Sequence, residues 1–343
     1  MKKNALFLFV VILAGIFLWF FIHSFIKPSI PNTEDTLVAD RGGYGVDPAQ
    51  VRTRITDLLS TQGPQKAYAR FVTDYQHADF GTQHNAAHIF GEELLVSEGI
   101  EGVRYCDPQF AFGCYHGFFT NAVSFEGISS ITKLDEACSA VTYGDPSACR
   151  HGIGHGLVEY FGGGQLAKAL ELCKKTTQPN PIAGCTGGVF MEYNTPLRYS
   201  DEGVFFTEPR PLNPENPYAP CDTVAVEFRD SCYHELPQWW GQVYNYDFEK
   251  IGALCAGSPL ESYVRNCYHG LGGVVAPSVN FDPYKVNEGC GLMPTEKGRY
   301  LCRASAAWSV MFDGAGYEDA ALVCSESISE YYSPCPTEDA DIM

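Results

Sequence analysis

Fourteen cysteines, grouped into seven evenly spaced couples, constrain this chain more than any other feature. They are Cys106/Cys114, Cys138/Cys149, Cys173/Cys185, Cys221/Cys232, Cys255/Cys267, Cys290/Cys302 and Cys324/Cys335. The first couple encloses seven residues and the others ten or eleven, and successive second cysteines lie 35, 36, 47, 35, 35 and 33 residues apart. A period near 35 is the size of one helix-turn-helix unit in a repeat protein. The even count, with no Cys-x-x-Cys pair and no Cys-x-x-Cys-His, reads as disulfides rather than haem attachment or a metal thiolate site. Each couple is expected to tie the end of one helix to the start of the next. Loops this short make disulfides worth roughly 2–4 kcal/mol, which suits units too small to bury a face alone.

The residues ahead of each couple support helices. Seven residues before the first cysteine stand Ile131, Leu166, Phe248, Pro283 and Tyr317, and four before it Leu134, Ala169, Ile251, Val286 and Ala320. With the cysteine, these make one apolar helix face, while Lys133, Lys168, Lys250 and Lys285 share a position that should face water. Turns such as Gln178-Pro179-Asn180-Pro181 then lead into the second helix. Residues 195–220 break the rhythm: six prolines replace the first helix of the fourth unit with a long surface loop. Three helical segments are expected between Pro48 and Gly99. The fold expected over residues 47–336 is all-α, an α/α solenoid of about seven disulfide-linked helical hairpins.

Cysteine-paired helical hairpins of this period, including the tighter Cys106-x7-Cys114 unit, resemble the disulfide-rich branch of Sel1-like repeat proteins. The resemblance covers roughly residues 100–336 and implies a right-handed helical solenoid serving as an interaction scaffold. This sequence departs from that pattern after the second cysteine, where it carries histidine and glycine.

The N-terminus adds a location. Lys2 and Lys3 precede an unbroken apolar run from Ala5 to Ile22, close to the ~20 residues that span a bilayer. No small-x-small cleavage site follows, so residues 1–27 are expected to form an uncleaved transmembrane signal anchor. The lysines keep the short end cytoplasmic and send the bulk of a single-pass protein to the periplasmic or extracellular side, where disulfides persist. Residues 28–46 read as a tether and 337–343 as an acidic tail. A net charge of −18 repels phosphate backbones, so nucleic acid is an improbable partner.

Histidines recur in register. The second helices begin Cys114-Tyr-His116, Cys149-Arg-His151, Cys185-Thr-Gly187, Cys232-Tyr-His234, Cys267-Tyr-His269 and Cys302-Arg-Ala304. His151/His155 and His84/His88 are i, i+4 pairs, each projecting from one helix face. Neutral imidazoles are common ligands for transition metals, and i, i+4 pairs can chelate. The candidate ligands are thus His84, His88, His116, His151, His155, His234 and His269, with Glu92, Glu159 and Glu192 as candidate carboxylates and zinc, copper or iron as the ion. The competing reading is duplication of one packing histidine, with neighbouring glycines allowing close helix approach.

Other motifs carry less. His234-Glu235-Leu236-Pro237-Gln238 misses the second ligand of the zinc-protease His-Glu-x-x-His, and Pro237 argues against a continuous helix. Gly162-Gly163-Gly164 reads as a helix cap. Trp239, Trp240 and the tyrosines after the cysteines read as core. The expected function is a membrane-anchored extracytoplasmic binding protein that captures a transition metal. The alternatives are a metal-free scaffold whose concave face binds protein or cell wall, and a metal-dependent enzyme.

Overall fold

A computed structural model describes residues 47–141, 146–177, 182–194, 197–200, 203–206, 210–314, 316–324 and 335–336. The expected anchor, tether and acidic tail lie outside the described residues. Among the described residues, no helix is long and apolar enough to cross a membrane.

The chain opens with the three expected helices: α1 (Pro48–Gln62), α2 (Pro64–Tyr75) and α3 (Phe80–Glu98). Their starts follow local chemistry. Asp47 accepts the Ala49 amide ahead of Pro48, and Asp79 accepts the Thr82 amide at the head of α3. Disulfide-tied pairs follow. α4 (Gly113–Glu126) starts at the first couple, and then come α5 (Ile131–Cys138) with α6 (Pro146–Phe161), and α7 (Leu166–Cys173) with α8 (Cys185–Asn194). Beyond them lie α9 (Arg229–Val243), α10 (Phe248–Ala256) with α11 (Glu261–Ser278), α12 (Pro283–Gly291) with α13 (Glu296–Asp313), and α14 (Tyr317–Cys324). All seven expected disulfides are present, with Cα–Cα distances from 5.4 to 6.0 Å. No free cysteine remains.

The repeat reading places the first helices well. Those before Cys138, Cys173, Cys255, Cys290 and Cys324 begin at Ile131, Leu166, Phe248, Pro283 and Tyr317, and the four lysines are exposed. The second helices pack in succession, α3 on α4, α4 on α6, α6 on α8, α8 on α9, α9 on α11 and α11 on α13. The two ends of this run meet. The Phe80 and Phe281 rings are 5.1 Å apart edge-to-face, and the Ala111 amide donates to Asp313 at 2.9 Å.

Three expectations need correction. The first concerns Cys335, which was expected to open the second helix of a seventh hairpin. It is bonded to Cys324 at the end of α14, with the widest Cα–Cα distance of the seven, 6.0 Å. Yet Cys335 lies in no helix or strand, and it is only half-buried, whereas Cys114, Cys149, Cys185, Cys232, Cys267 and Cys302 are fully buried in helices. Pro336 follows it directly, and a residue before proline is biased away from helical backbone. Among the described residues the seventh unit thus shows a single helix, to whose end Cys335 is tied outside any helix.

The second correction concerns the Pro-rich segment, which is not simply a surface loop. Leu197–Ser200 (β1) pairs antiparallel with Gly203–Phe206 (β2), Leu197 opposite Phe206. Farther along, the Arg210 and Pro217 carbonyls accept the indole N–H groups of Trp239 and Trp240 at 2.8 and 3.1 Å. Both indoles are fully buried and need partners there. Thirdly, α9 runs unbroken through Pro237. An interior proline costs about 3 kcal/mol. Burying two tryptophans at ~25 cal/mol per Å² over 150–250 Å² each outweighs that. As expected, Tyr115, Tyr233 and Tyr268 are core, and Gly162 (φ 75°) ends α6 by donating to the Val158 carbonyl.

Candidate metal centre

The second helices approach so closely that glycine is required between them. A Cβ added at Gly117 would lie 1.9 Å from the His88 carbonyl oxygen, and one at Gly188 would lie 1.9 Å from that of His151. α3 and α4 are thereby brought backbone to backbone, as are α6 and α8. The imidazoles of α3, α4 and α6 meet in one cluster, with ring centroids 4.6 Å apart for His84/His88, 5.3 Å for His88/His116, 4.2 Å for His116/His155 and 5.0 Å for His151/His155.

Two ligand triads emerge. One nitrogen from each of His84, His88 and His116 lies within 4.8 Å of the others, and the same holds for His116, His151 and His155. Nε2 of His84 and Nε2 of His88 are 3.0 Å apart. Two nitrogens about 2.0–2.1 Å from one tetrahedral ion would be roughly 3.3 Å apart.

The outer nitrogens are anchored as metal-binding imidazoles generally are. His84 Nδ1 lies 2.8 Å from the Phe110 carbonyl oxygen, to which its N–H donates, leaving Nε2 as the lone-pair nitrogen. His155 Nδ1 lies 2.8 Å from Glu192 Oε2, and His151 bonds the Ala183 carbonyl. Nε2 of His155 and Nε2 of His116 are buried without a hydrogen-bond partner, although such atoms are costly to leave unsatisfied.

Burial also fixes the charge state. It is the main cause holding His84 and His155 at about 4 and His151 at about 3. Phe110 opposes it at His84, and the carboxylate of Glu235 at His155. His88 and His116 lie well below the ordinary value for the same reason, with neighbouring imidazoles adding to it. All five rings are neutral around pH 7, which is the ligating form.

The remaining sequence candidates divide. Glu192 is buried and backs His155. Glu92 is held by Arg52 of α1 at 2.6 Å, a partner 40 residues away, and joins neither triad. Glu159 is exposed as a residue, yet desolvation of its carboxyl, followed by repulsion from Glu192 and Glu92, pushes it up to about 7. His234 pairs with Glu235 at 3.0 Å, and burial pushes His269 down to about 4, but neither belongs to a triad.

No protein-family model, curated protein or solved structure matches this chain.

The site is therefore read from its own chemistry. Sequence reasoning missed Glu235, which is 1% exposed. It is clasped by His234 and by Gln238 at 2.6 Å, and its charge reaches His151 and His155. Its signal was the acidic residue directly after a repeat-placed histidine. A second missed signal is the spacing His-x3-His-x3-Glu, which occurs at His84/His88/Glu92 and again at His151/His155/Glu159.

Proposed function

We propose that this chain is a membrane-anchored, extracytoplasmic helical-repeat protein that binds a transition metal through His84, His88, His116, His151 and His155. The observation that carries the reading is the pair of buried, unpartnered Nε2 atoms on His116 and His155, within triads whose outer nitrogens are tied to Phe110, Ala183 and Glu192. With every thiol in a disulfide, the donors are imidazoles, which suit zinc, copper, iron or nickel. The successive packing of the second helices supports a helical-repeat array, although its ends meet where those of an open Sel1-like solenoid would stay apart. The apolar run Ala5–Ile22 supports the anchor, and the disulfides support an oxidising compartment.

Metal analysis tests the reading. The full chain, purified in detergent without a metal-affinity tag, should carry stoichiometric metal, and His151→Ala/His155→Ala should lose the tight binding that those two rings support, carrying less metal than the unaltered protein. Absence of metal from both forms, with lowered thermal stability in the variant, would mean that the histidines are packing residues.

A second reading, a metal-dependent enzyme, draws on Glu159. It lies one helical turn beyond His155 with its carboxyl raised to about 7, a value suited to proton transfer near neutrality.

A further inference from the structure

The two triads share one member, His116. α3 and α6 each present a histidine pair with the same spacing, and α4 lies between them with a single histidine. Its ring centroid is 5.4 and 5.3 Å from those of His84 and His88 on one side, and 5.7 and 4.2 Å from those of His151 and His155 on the other. The flanking rings each have a nitrogen engaged, by Phe110, by Ala183, by Glu192, or between His84 and His88 themselves. His116 Nε2 is buried and engaged by nothing.

We propose that the cluster holds two transition-metal ions, one on the His84/His88 side and one on the His151/His155 side, with His116 bridging them through its two ring nitrogens. The inference rests on the metal-binding reading above and adds number and connectivity to it. One nitrogen cannot serve two ions, but the two nitrogens of an imidazole can. With metal–nitrogen bonds of about 2.0–2.1 Å they hold the ions roughly 6 Å apart. When the second ion binds, the remaining N–H bond of His116 breaks, a metal–nitrogen bond forms, and the proton leaves to water; no electron is transferred. The resulting imidazolate carries a negative charge between the two cations. Buried Glu192 and Glu235 offset more of that charge from behind His155 and beside His151, as a dry dicationic site requires.

Copper(II) is a suitable probe because bridged ions couple magnetically. The full chain in detergent, stripped with chelator and dialysed against copper(II), should retain two equivalents. At low temperature its integrated electron paramagnetic resonance intensity should fall well below two spins per chain. His84→Ala/His88→Ala and His151→Ala/His155→Ala should each retain one copper with a full one-spin signal. His116→Gln should restore full intensity per copper bound. Two coppers with undiminished intensity in the unaltered protein would overturn the bridge. A single copper, lost on changing either pair, would overturn the two-ion site while leaving metal binding intact. No copper in the unaltered protein would sink both readings. The stoichiometry and spin count of the unaltered protein decide these outcomes even where a variant fails to fold.

Discussion

The helices α3, α4, α6 and α8 and the helices α9, α11 and α13 share one repeating arrangement, yet their interiors differ. Close glycine contacts occur in both, at Gly117 and equally at Gly270, where a Cβ would lie 1.7 Å from the His234 carbonyl oxygen, but only in the first group do doubled histidines build a buried five-imidazole cluster. In the second group the register holds single histidines at His234 and His269 and then Ala304, and no triad forms among the described residues. Its interior is filled instead by Trp239, Trp240, Tyr268, Ala306 and Ala307, and the His234 side chain is 25% exposed. The repeat therefore supplies position, while each triad takes a second histidine one turn along its helix and shares the single His116. His155 and His88 provide that second donor; Gln238 and Gly273 stand where their counterparts would be.

The sharpest way to break this contrast is to exchange losses between the two groups. His151→Ala/His155→Ala should weaken zinc binding on its own side of the cluster by more than the roughly 10–100-fold typical of an outer-shell change, whereas His234→Ala/His269→Ala should leave stoichiometry and affinity nearly unchanged. Equilibrium dialysis measures both, and equal losses would dissolve the distinction. The next effect belongs to Glu192. Glu192→Gln keeps the shape but removes the charge behind His155, and should cost about 10–100-fold in affinity. If affinity is unchanged, His155 is not a ligand.

Glycine gives a smaller and purely structural contrast, between crowded and open positions rather than between the two groups, since Gly270 of α11 is as crowded as Gly117. Gly117→Ala forces a methyl group against the His88 carbonyl oxygen and should destabilise the fold by about 1–3 kcal/mol. Gly273→Ala, on α11 with nothing within 4 Å, should be neutral or stabilise by up to ~1 kcal/mol. Denaturant titration of both variants reads the difference. If both are tolerated alike, the close helix approach does not hold the cluster together.

The sequence displays the repeating parts of this molecule and hides the long-range ones. Disulfide pairing and the first helices are legible because period and apolar spacing are local. The period does not carry the helix with it, however. Cys335 keeps its place in the spacing and its bond to Cys324, while Pro336 beside it takes the backbone out of the helical pattern. The histidines are legible as a register, but not which of them meet, since that depends on how closely consecutive second helices stack. Glu92 illustrates the limit. Its spacing from His88 is that of Glu159 from His155, yet Arg52, 40 residues earlier, occupies it. Pro237 and the Pro-rich segment mislead because local propensity yields to the burial of Trp239 and Trp240.

The smallest expected effect is on the pH dependence of the metal-free fold, and it again divides the two groups. Burial holds His84 and His155 at about 4 and His151 at about 3, with His88 and His116 also well below the ordinary value. Between pH 6.5 and about 4 the unfolded chain binds protons on these rings that the folded chain does not, so stability should fall as pH falls through that window. Raised carboxyls act with the opposite sign. Burial raises Asp313 to about 6 and Glu159 to about 7, and Glu92 and Asp107 are also raised, so the stability they contribute declines as pH rises from about 4 to 7. The five clustered histidines and His269 outnumber them, and the net slope should follow the histidines. His151→Ala/His155→Ala should flatten the slope appreciably. His269→Ala removes a depressed histidine of the second group, itself at about 4, and should flatten it only slightly. Thermal unfolding of the chelator-treated protein from pH 7 to 4 measures all three slopes. A larger effect from His269 than from the pair would place the principal buried imidazole charge in the wrong half of the repeat.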